Sequence, residues 1–490
     1  SARQDFSVGA DGMLKVKLEP TLRTGKVTVI ATLDNGRKVP IYMYMEPEKR
    51  DWILVGLAEG SAGYENISGN AVALGETEGK DVIKDGRVAF FAKGMIKGNW
   101  LMTMSVDTSK HKFTGNTDGD FLGEIDPNAY YTLYGDRSYQ EFEGVSRYPV
   151  YVKLEKRQAY AMFGDYDTNV TEGRLTSYNR RLSGLKAEYL GENLQVLGFA
   201  AETNQGFAKD EIAADGTSGT YQLSSQRILA QSEEIYVETR DRFRPDIVLE
   251  RKLMVRYLDY TLDYYTGQLI FRLPVDVSDT EFNPNVIVVD YETAEDAERN
   301  ITFGGRVQTQ VLDDKIQIGS SFVHEDGSSL QGGIEQNQVG IDVIAQVTGN
   351  TQIRAEYAIT ENKGSANDGT ADAILAEVIH TSENFTGEAY YREEEAGYGV
   401  GQLNSNTSGV RRYGAKAGYK FDEFEDEETG RRGNRRVEAQ AFREENLTTG
   451  NARNTAEVLA THQGELMTVS GGLRASRDEL VGLDDRESLL

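Results

Sequence analysis

Four carboxylates crowd one short stretch of this 490-residue chain: Asn116-Thr117-Asp118-Gly119-Asp120, followed by Glu124 and Asp126. Hard oxygen ligands at such close spacing suit calcium, with Asp118, Asp120 and Glu124 as the ligand set. The spacing is not that of an EF-hand, and a solvated acidic loop accounts for the same residues. A second cluster, Tyr257, Tyr260, Tyr264 and Tyr265, offers aromatic faces on which a sugar ring could stack. Tyrosines packing across neighbouring strands explain it equally well. Elsewhere the chemistry thins out. There is no cysteine, which excludes disulfides and thiolate metal sites. His111, His324, His380 and His462 are too scattered for zinc-ligand spacing. No G-x-S-x-G elbow and no glycine-rich phosphate loop with a following lysine occurs. With 79 Asp and Glu residues, carboxylate pairs arise anywhere and single out no acid–base couple. The expectation is a protein that is not an enzyme and holds no cofactor, the calcium loop aside.

A different set of charges recurs on one face of extended segments: Arg306, Arg354, Glu356, Glu388, Lys416 and Glu438. Sequestering so many ionisable groups in a dry core is costly, so this face must meet water. Residues 339–360 show what lies opposite. Val339, Ile341, Val343, Ala345 and Val347 alternate with Gln338, Asp342 and Gln346; Thr348-Gly349-Asn350 turns the chain. Ile353, Ala355, Tyr357 and Ile359 then resume the apolar face against Gln352, Arg354 and Glu356. Side chains in a strand alternate with period two, so this is a hairpin with one apolar and one polar face. Each arm has about the 9–11 residues that cross a bilayer when tilted as a barrel strand.

The pattern repeats along the chain. Residues 1–50 read as a small β-domain with a hairpin turn at Asp34-Asn35-Gly36. Residues 51–86 open with a strand at Trp52 and continue Gly/Ser/Asn-rich, as a linker or barrel-mouth segment. Residues 87–205 hold the first barrel hairpins, 206–296 an inserted β-rich module, and 297–490 further hairpins. About sixteen arms are visible, and short turns alternate with longer connections, as in outer-membrane barrels. The acidic segment 422–434 breaks that rule, since it is long where the count requires a short turn. Leu489-Leu490 follows a charged stretch rather than an aromatic-ended strand, which suggests a truncated series. Arm 411–421 places Tyr413, Tyr419 and Phe421 around Ala415 and Ala417, as if rings sat at headgroup level. Typical sandwich strands are shorter, about 5–6 residues, and sandwiches cross over between sheets.

Residues 253–273 contain Asp259-Tyr260, Asp263-Tyr264, Gly267 and Phe271, and Asn283-Pro284 leads into a strand at 286–292. This stretch resembles a strand–turn–strand signature of large outer-membrane barrel proteins of Gram-negative bacteria, where it belongs to β-rich modules attached to the barrel. The lead-in at 50–60 is similar to such proteins as well, so the resemblance covers about residues 50–300. It implies location and architecture rather than an activity, and nothing resembles the plug and terminal strand of a siderophore receptor.

The expected fold is therefore all-β: a transmembrane antiparallel up-and-down β-barrel with an N-terminal β-domain and an inserted β-rich module. The expected role is a pore, translocation channel or surface-display scaffold in the bacterial outer membrane, with the module on the extracellular side. Arg306, Arg354, Glu356, Glu388 and Lys416 would face the lumen and set selectivity by electrostatics. The expected partners are the lipid bilayer together with small solutes, a polypeptide or surface glycans. A formal net charge of −26 disfavours nucleic acid. The alternative is a soluble secreted β-rich adhesin or glycan-binding protein.

Overall fold

The computed structural model describes residues 5–8, 14–17, 25–32, 38–45, 51–66, 80–97, 99–108, 144, 149–203, 206–229, 232–279, 282–293, 300–312, 315–326, 335–364, 368–399, 408–421, 424–425, 432–464, 467–479 and 483–489. The candidate calcium ligands Asp118, Asp120 and Glu124 lie outside these residues.

Extended, alternating segments pair with their chain neighbours to form one large sheet. Seven arms precede the module: β1 (Ile53–Asn66), β2 (Lys80–Ile96), β3 (Trp100–Asp107), β4 (Val150–Lys156), β5 (Ala159–Asp167), β6 (Arg181–Leu190) and β7 (Leu194–Thr203). Seven follow it: β8 (Asn300–Val311), β9 (Ile316–Asp326), β10 (Glu335–Thr348), β11 (Thr351–Lys363), β12 (Gly369–Thr381), β13 (Phe385–Glu394) and β14 (Val410–Lys420). The last are β15 (Arg432–Asn446), β16 (Ala452–Gly464), β17 (Thr468–Asp478) and β18 (Leu483–Leu489). Consecutive arms pair antiparallel, and β18 lies beside β1, so eighteen arms close into a barrel. β7 pairs directly with β8 (Val196 opposite Val307), so the module is spliced between two adjacent staves without interrupting the wall.

Burial in the wall is inverted relative to a soluble sheet. On β10, Ile341 is 55% exposed, while its polar neighbours Gln338 and Asp342 retain 1% and 3%. The same inversion holds on β8, β12–β14, β16 and β17: Ile301, Phe303, Val307, Ile374, Val378, Tyr413, Val458 and Leu473 face outward, while Arg306, Glu377, Glu394 and Glu457 are buried inside; on β1 both faces are exposed, Leu54 as well as Val55. A closed barrel has no unpaired sheet edge, and an apolar exterior over a polar interior is what a hydrocarbon solvent selects. The fold is a transmembrane antiparallel up-and-down β-barrel. Glycine makes room where the inner face is crowded. At Gly319 on β9 a Cβ would collide with the Arg306 guanidinium and stand 2.7 Å from Asp342 Oδ1.

The module solves the same alternation the ordinary way. Gly206–Ala213, Asn285–Thr293, Glu234–Arg240 and Val248–Leu253 form, in that spatial order, a four-stranded sheet. Tyr221–Gln222, Gln268–Phe271 and Tyr260–Asp263 form a three-stranded one. Ile228, Ile235, Leu269, Ile287, Val289 and Tyr291 are sealed in a single core between them. Two short hairpins, Asp5–Val8 with Leu14–Lys17 and Gly25–Thr32 with Lys38–Met45, precede the barrel.

Two expectations change. Within 51–86, read as a linker or barrel-mouth segment after an opening strand, residues 53–66 form β1 and residues 80–86 the start of β2, paired from Ile53–Lys93 to Asn66–Lys80. The ring has eighteen arms rather than sixteen, because β1 and the charged β18 also count. The connection between β14 and β15 stays long where the count requires a short turn, and Phe424–Glu425 forms a spur in it, paired to Gly433 and Arg432.

Candidate functional site

The enclosed face of the barrel is the candidate site, and among the described residues two segments, joined at the tip of the first by Tyr398 of the β13–β14 connection, enter it from the rim that carries the longer connections. The first is the β5–β6 connection, residues 168–180. It is a narrow loop closed by a mutual pair of backbone hydrogen bonds between Val170 and Tyr178, and braced by Tyr178 stacking on Phe199 at 5.8 Å. Its tip residue, Leu175, sits among Ala358, Ala371, Ala373 and Leu375 of the inner wall and Tyr398 of the β13–β14 connection. The amides of Arg174 and Leu175 donate to Glu356 Oε2 at 2.8 and 2.9 Å, and Tyr398 Oη donates to the Leu175 carbonyl at 2.7 Å. Gly340 on β10 has only hydrogen where the loop passes, since a Cβ there would overlap Thr176. Arg180 closes the base of the loop on Glu325 and stacks over Phe207 of the module.

The second segment is the turn 241–247 of the module. Asp241 Oδ1 accepts the amides of Phe243 and Arg244 at 2.8 and 3.0 Å, and Arg242 N donates to Asn283 Oδ1 at 3.3 Å, so the turn is preformed. Its side chains reach across the lumen. Arg242 pairs with Glu457 on β16. Phe243 packs against Phe442 on β15 and Tyr390 on β13. Arg244 donates to Glu377 on β12 at 2.8 Å, pairs with Glu388 on β13, and lies 4.0 Å above the Tyr390 ring. Asp246 accepts from Arg392 on β13 at 3.0 Å, with Arg412 of β14 at 3.7 Å. Cations of the turn thus meet carboxylates of the wall, and its carboxylate meets arginines of the wall. The two segments converge on one group, since Arg174 Nη1 also donates to Glu377 Oε1 at 3.1 Å.

The five charges expected to face the lumen all lie on the inner face, in different roles. Arg306 is buried in a bidentate pair with Asp342 (2.6 and 2.9 Å) and hydrogen-bonds Ser321 and Gln308. Arg354 pairs with Glu356 at 3.2 Å, and Glu356 anchors the first segment. Glu388 holds the second segment through Arg244. Lys416 is half-buried, directly opposite Glu388 on one side and Gln440 on the other. Arg174 and Arg244 tie Glu356, Glu377 and Glu388 into one cluster, while Arg306 belongs to another part of the wall. Sequence reasoning missed the inward residues Arg174, Arg242, Arg244 and Asp246. Their signal was Arg240-Asp241-Arg242-Phe243-Arg244, three arginines in five residues of a strongly acidic chain.

The tyrosine cluster of the module is mostly structural. Tyr260 and Tyr264 are buried and donate to Glu233 at 3.0–3.3 Å, whereas Tyr265 is exposed. Burial pushes the Glu233 carboxyl up, against the pull of Arg256. Among the described residues no three metal-ligating side chains converge.

No family model matches the chain, and no curated protein matches it. Solved structures do. The outer membrane protein OpdK from Pseudomonas aeruginosa aligns over 89% of this chain and 95% of its own, at 10% identity and a TM-score of 0.32. OccAB3 of Acinetobacter baumannii gives 89% and 96%, at 10% identity and a TM-score of 0.32. A BenF-like porin from Pseudomonas fluorescens gives 90% and 97%, at 11% identity and a TM-score of 0.27.

Proposed function

We propose that the chain forms a pore in the outer membrane of a Gram-negative bacterium, narrowed from one rim by segment 168–180 and by turn 241–247, for the passage of small polar solutes. The observation that carries this reading is the inverted barrel: a charged, enclosed face and an exposed apolar one. A water-soluble adhesin with this exterior would hold Ile341, Ile301, Val458 and Leu473 in water, at about 25 cal/mol for each Å² left unburied. A bilayer removes that cost. The reading assigns the chain no reaction. It places the module on the extracellular side, because long connections of outer-membrane barrels gather there. The inward turn favours a role for the module in controlling passage over display of the module at the surface.

With paired charges along its wall, the lumen selects by local field rather than by width alone. Reconstitution in planar bilayers under a KCl gradient is the test. The expected result is discrete channels with a reversal potential favouring K⁺, in keeping with the net charge of −26. A folded, bilayer-inserted protein that never conducts would refute the pore.

A further inference from the structure

The inward turn is bound to the wall as a ligand is bound to a site. Within five residues, Arg242-Phe243-Arg244-Pro245-Asp246 present two guanidinium groups, an aromatic ring and a carboxylate. The wall answers each one: Glu457 for Arg242; Glu377, Glu388 and the Tyr390 face for Arg244; Phe442 for Phe243; Arg392 and Arg412 for Asp246. Guanidinium groups are favoured where a carboxylate and an aromatic face occur together, because the fork bonds the one and the flat cation stacks on the other. The wall also retains unused bonding capacity here. Glu377 Oε2 and Glu457 Oε2 are buried without a hydrogen-bond partner, on side chains that are 1% and 2% exposed.

The same carboxylates have substitutes for the turn within the wall. Glu388 stands opposite Lys416, and Glu457 stands opposite Arg474 on the next strand. If the turn leaves, neither carboxylate is stranded far from a cation, which lowers the cost of vacating the site.

We infer that this patch is a peptide-binding site of the pore, selective for short arginine-bearing peptides that also carry a carboxylate, and that the turn 241–247 is its resident occupant. A peptide of that class competes with the turn for the same wall groups, replacing a tethered occupant of the lumen by one that can dissociate and pass. The inference rests on the pore reading for the coupling to passage, but the binding itself does not require conduction.

The probe is the acetylated, amidated pentapeptide Arg-Phe-Arg-Pro-Asp; its comparator is the charge-inverted Asp-Phe-Asp-Pro-Arg. The protein is the full chain and its triple variant Arg242→Ser/Arg244→Ser/Asp246→Ser, each shown folded by heat-modifiable gel migration. Fluorescence anisotropy in detergent should show the probe binding the variant about tenfold or more tightly than the comparator, the size expected when about 1.4 kcal/mol of ion pairing and stacking separates them. Wild-type protein should bind the probe more weakly than the variant does, because the turn competes. Adding Glu457→Gln to the variant should reduce probe affinity while leaving gel migration unchanged. In planar bilayers the variant should conduct more than wild type, and the probe should block it reversibly. Equal binding of both peptides, or none, in a folded variant overturns the inference even if the channel conducts. Selective binding without any conductance upholds the site and overturns the pore instead.

Discussion

The barrel wall and the module are built from the same alternation of apolar and polar residues, folded in opposite senses. In the wall, Ile341 and Val458 face out, and Asp342 and Glu457 face in. In the module, Ile235, Ile287 and Val289 are sealed inside, and the sheet edge Val248–Leu253 is exposed along its whole length. Period two states that a strand has two unlike faces; it does not state which solvent each will meet. Closure carries the missing information. The wall's arms pair from neighbour to neighbour into a ring that leaves their apolar faces outermost; length does not separate the two sets, since β3, β4 and β5 of the wall have 8, 7 and 9 residues and the module's longest strand has nine. The module's two sheets bury their apolar faces against each other.

The same substitution should therefore have unlike consequences in the two regions. Ile287→Ala empties a fully buried position of the module and should cost about 2–5 kcal/mol. Urea titration of the protein in lipid vesicles, read by protease cleavage within the module, measures it. Ile341→Ala, at the middle of β10, only exchanges side-chain contacts for lipid contacts and should leave barrel unfolding almost unchanged, because lipid tails are as apolar as the methyls removed. Equal losses at the two sites would erase the distinction.

Changing the solvent preference of the outer face gives the next largest effect. Ile341→Arg places a cation at mid-belt and should destabilise the barrel by about 2–4 kcal/mol in bilayers. The effect should shrink in detergent, which thins and hydrates around a charge. A destabilisation that ignores the solvent would point to protein packed against that face.

A smaller effect separates the regions by pH. Asp290 in the module faces Glu234 across the sheet. Burial is the main cause that pushes its carboxyl up to about 6; Glu234 and Glu238 add to it, while Lys209 and Arg251 pull the other way. A carboxyl with a higher pKa folded than unfolded weakens the fold only when ionised. The penalty is absent below about pH 4, grows as pH rises, and is complete above about pH 6. Asp290→Asn should then stabilise the module by about 1–3 kcal/mol at pH 8 and by almost nothing at pH 3.5, measured by the same protease-read titration. A gain that is equal at both pH values would show that the charge is not the cause.

Most of the wall was legible in the sequence, because Val339–Ile359 and its counterparts alternate cleanly and are separated by tight turns. β1 was legible only at its start, as the strand at Trp52; beyond Gly56 its alternation fades, with Gly60 between Ala58 and Ala62 on one face and Glu59, Ser61 and Gly63 on the other. β18 escaped because Asp484, Asp485, Arg486 and Glu487 give its sequence the look of a solvated tail. The lumen charges were legible as a face but not as partners. Which arginine meets Glu377 depends on two loops folding back into the barrel, and pairing across more than a hundred residues leaves no local period. The run Arg240–Arg244 was the one visible trace, and only its position inside the barrel gives it meaning.

The central claim is that lipid covers the apolar face and water the charged one. A chain without cysteine allows a direct measurement: single cysteines at Val339 and Val458 on the apolar face, and at Gln346 and Lys416 on the polar face, each carrying a fluorophore in lipid vesicles. The account predicts quenching by brominated lipid at Val339 and Val458, and by aqueous iodide at Gln346 and Lys416. Iodide reaching Val339 and Val458 while brominated lipid does not would contradict it.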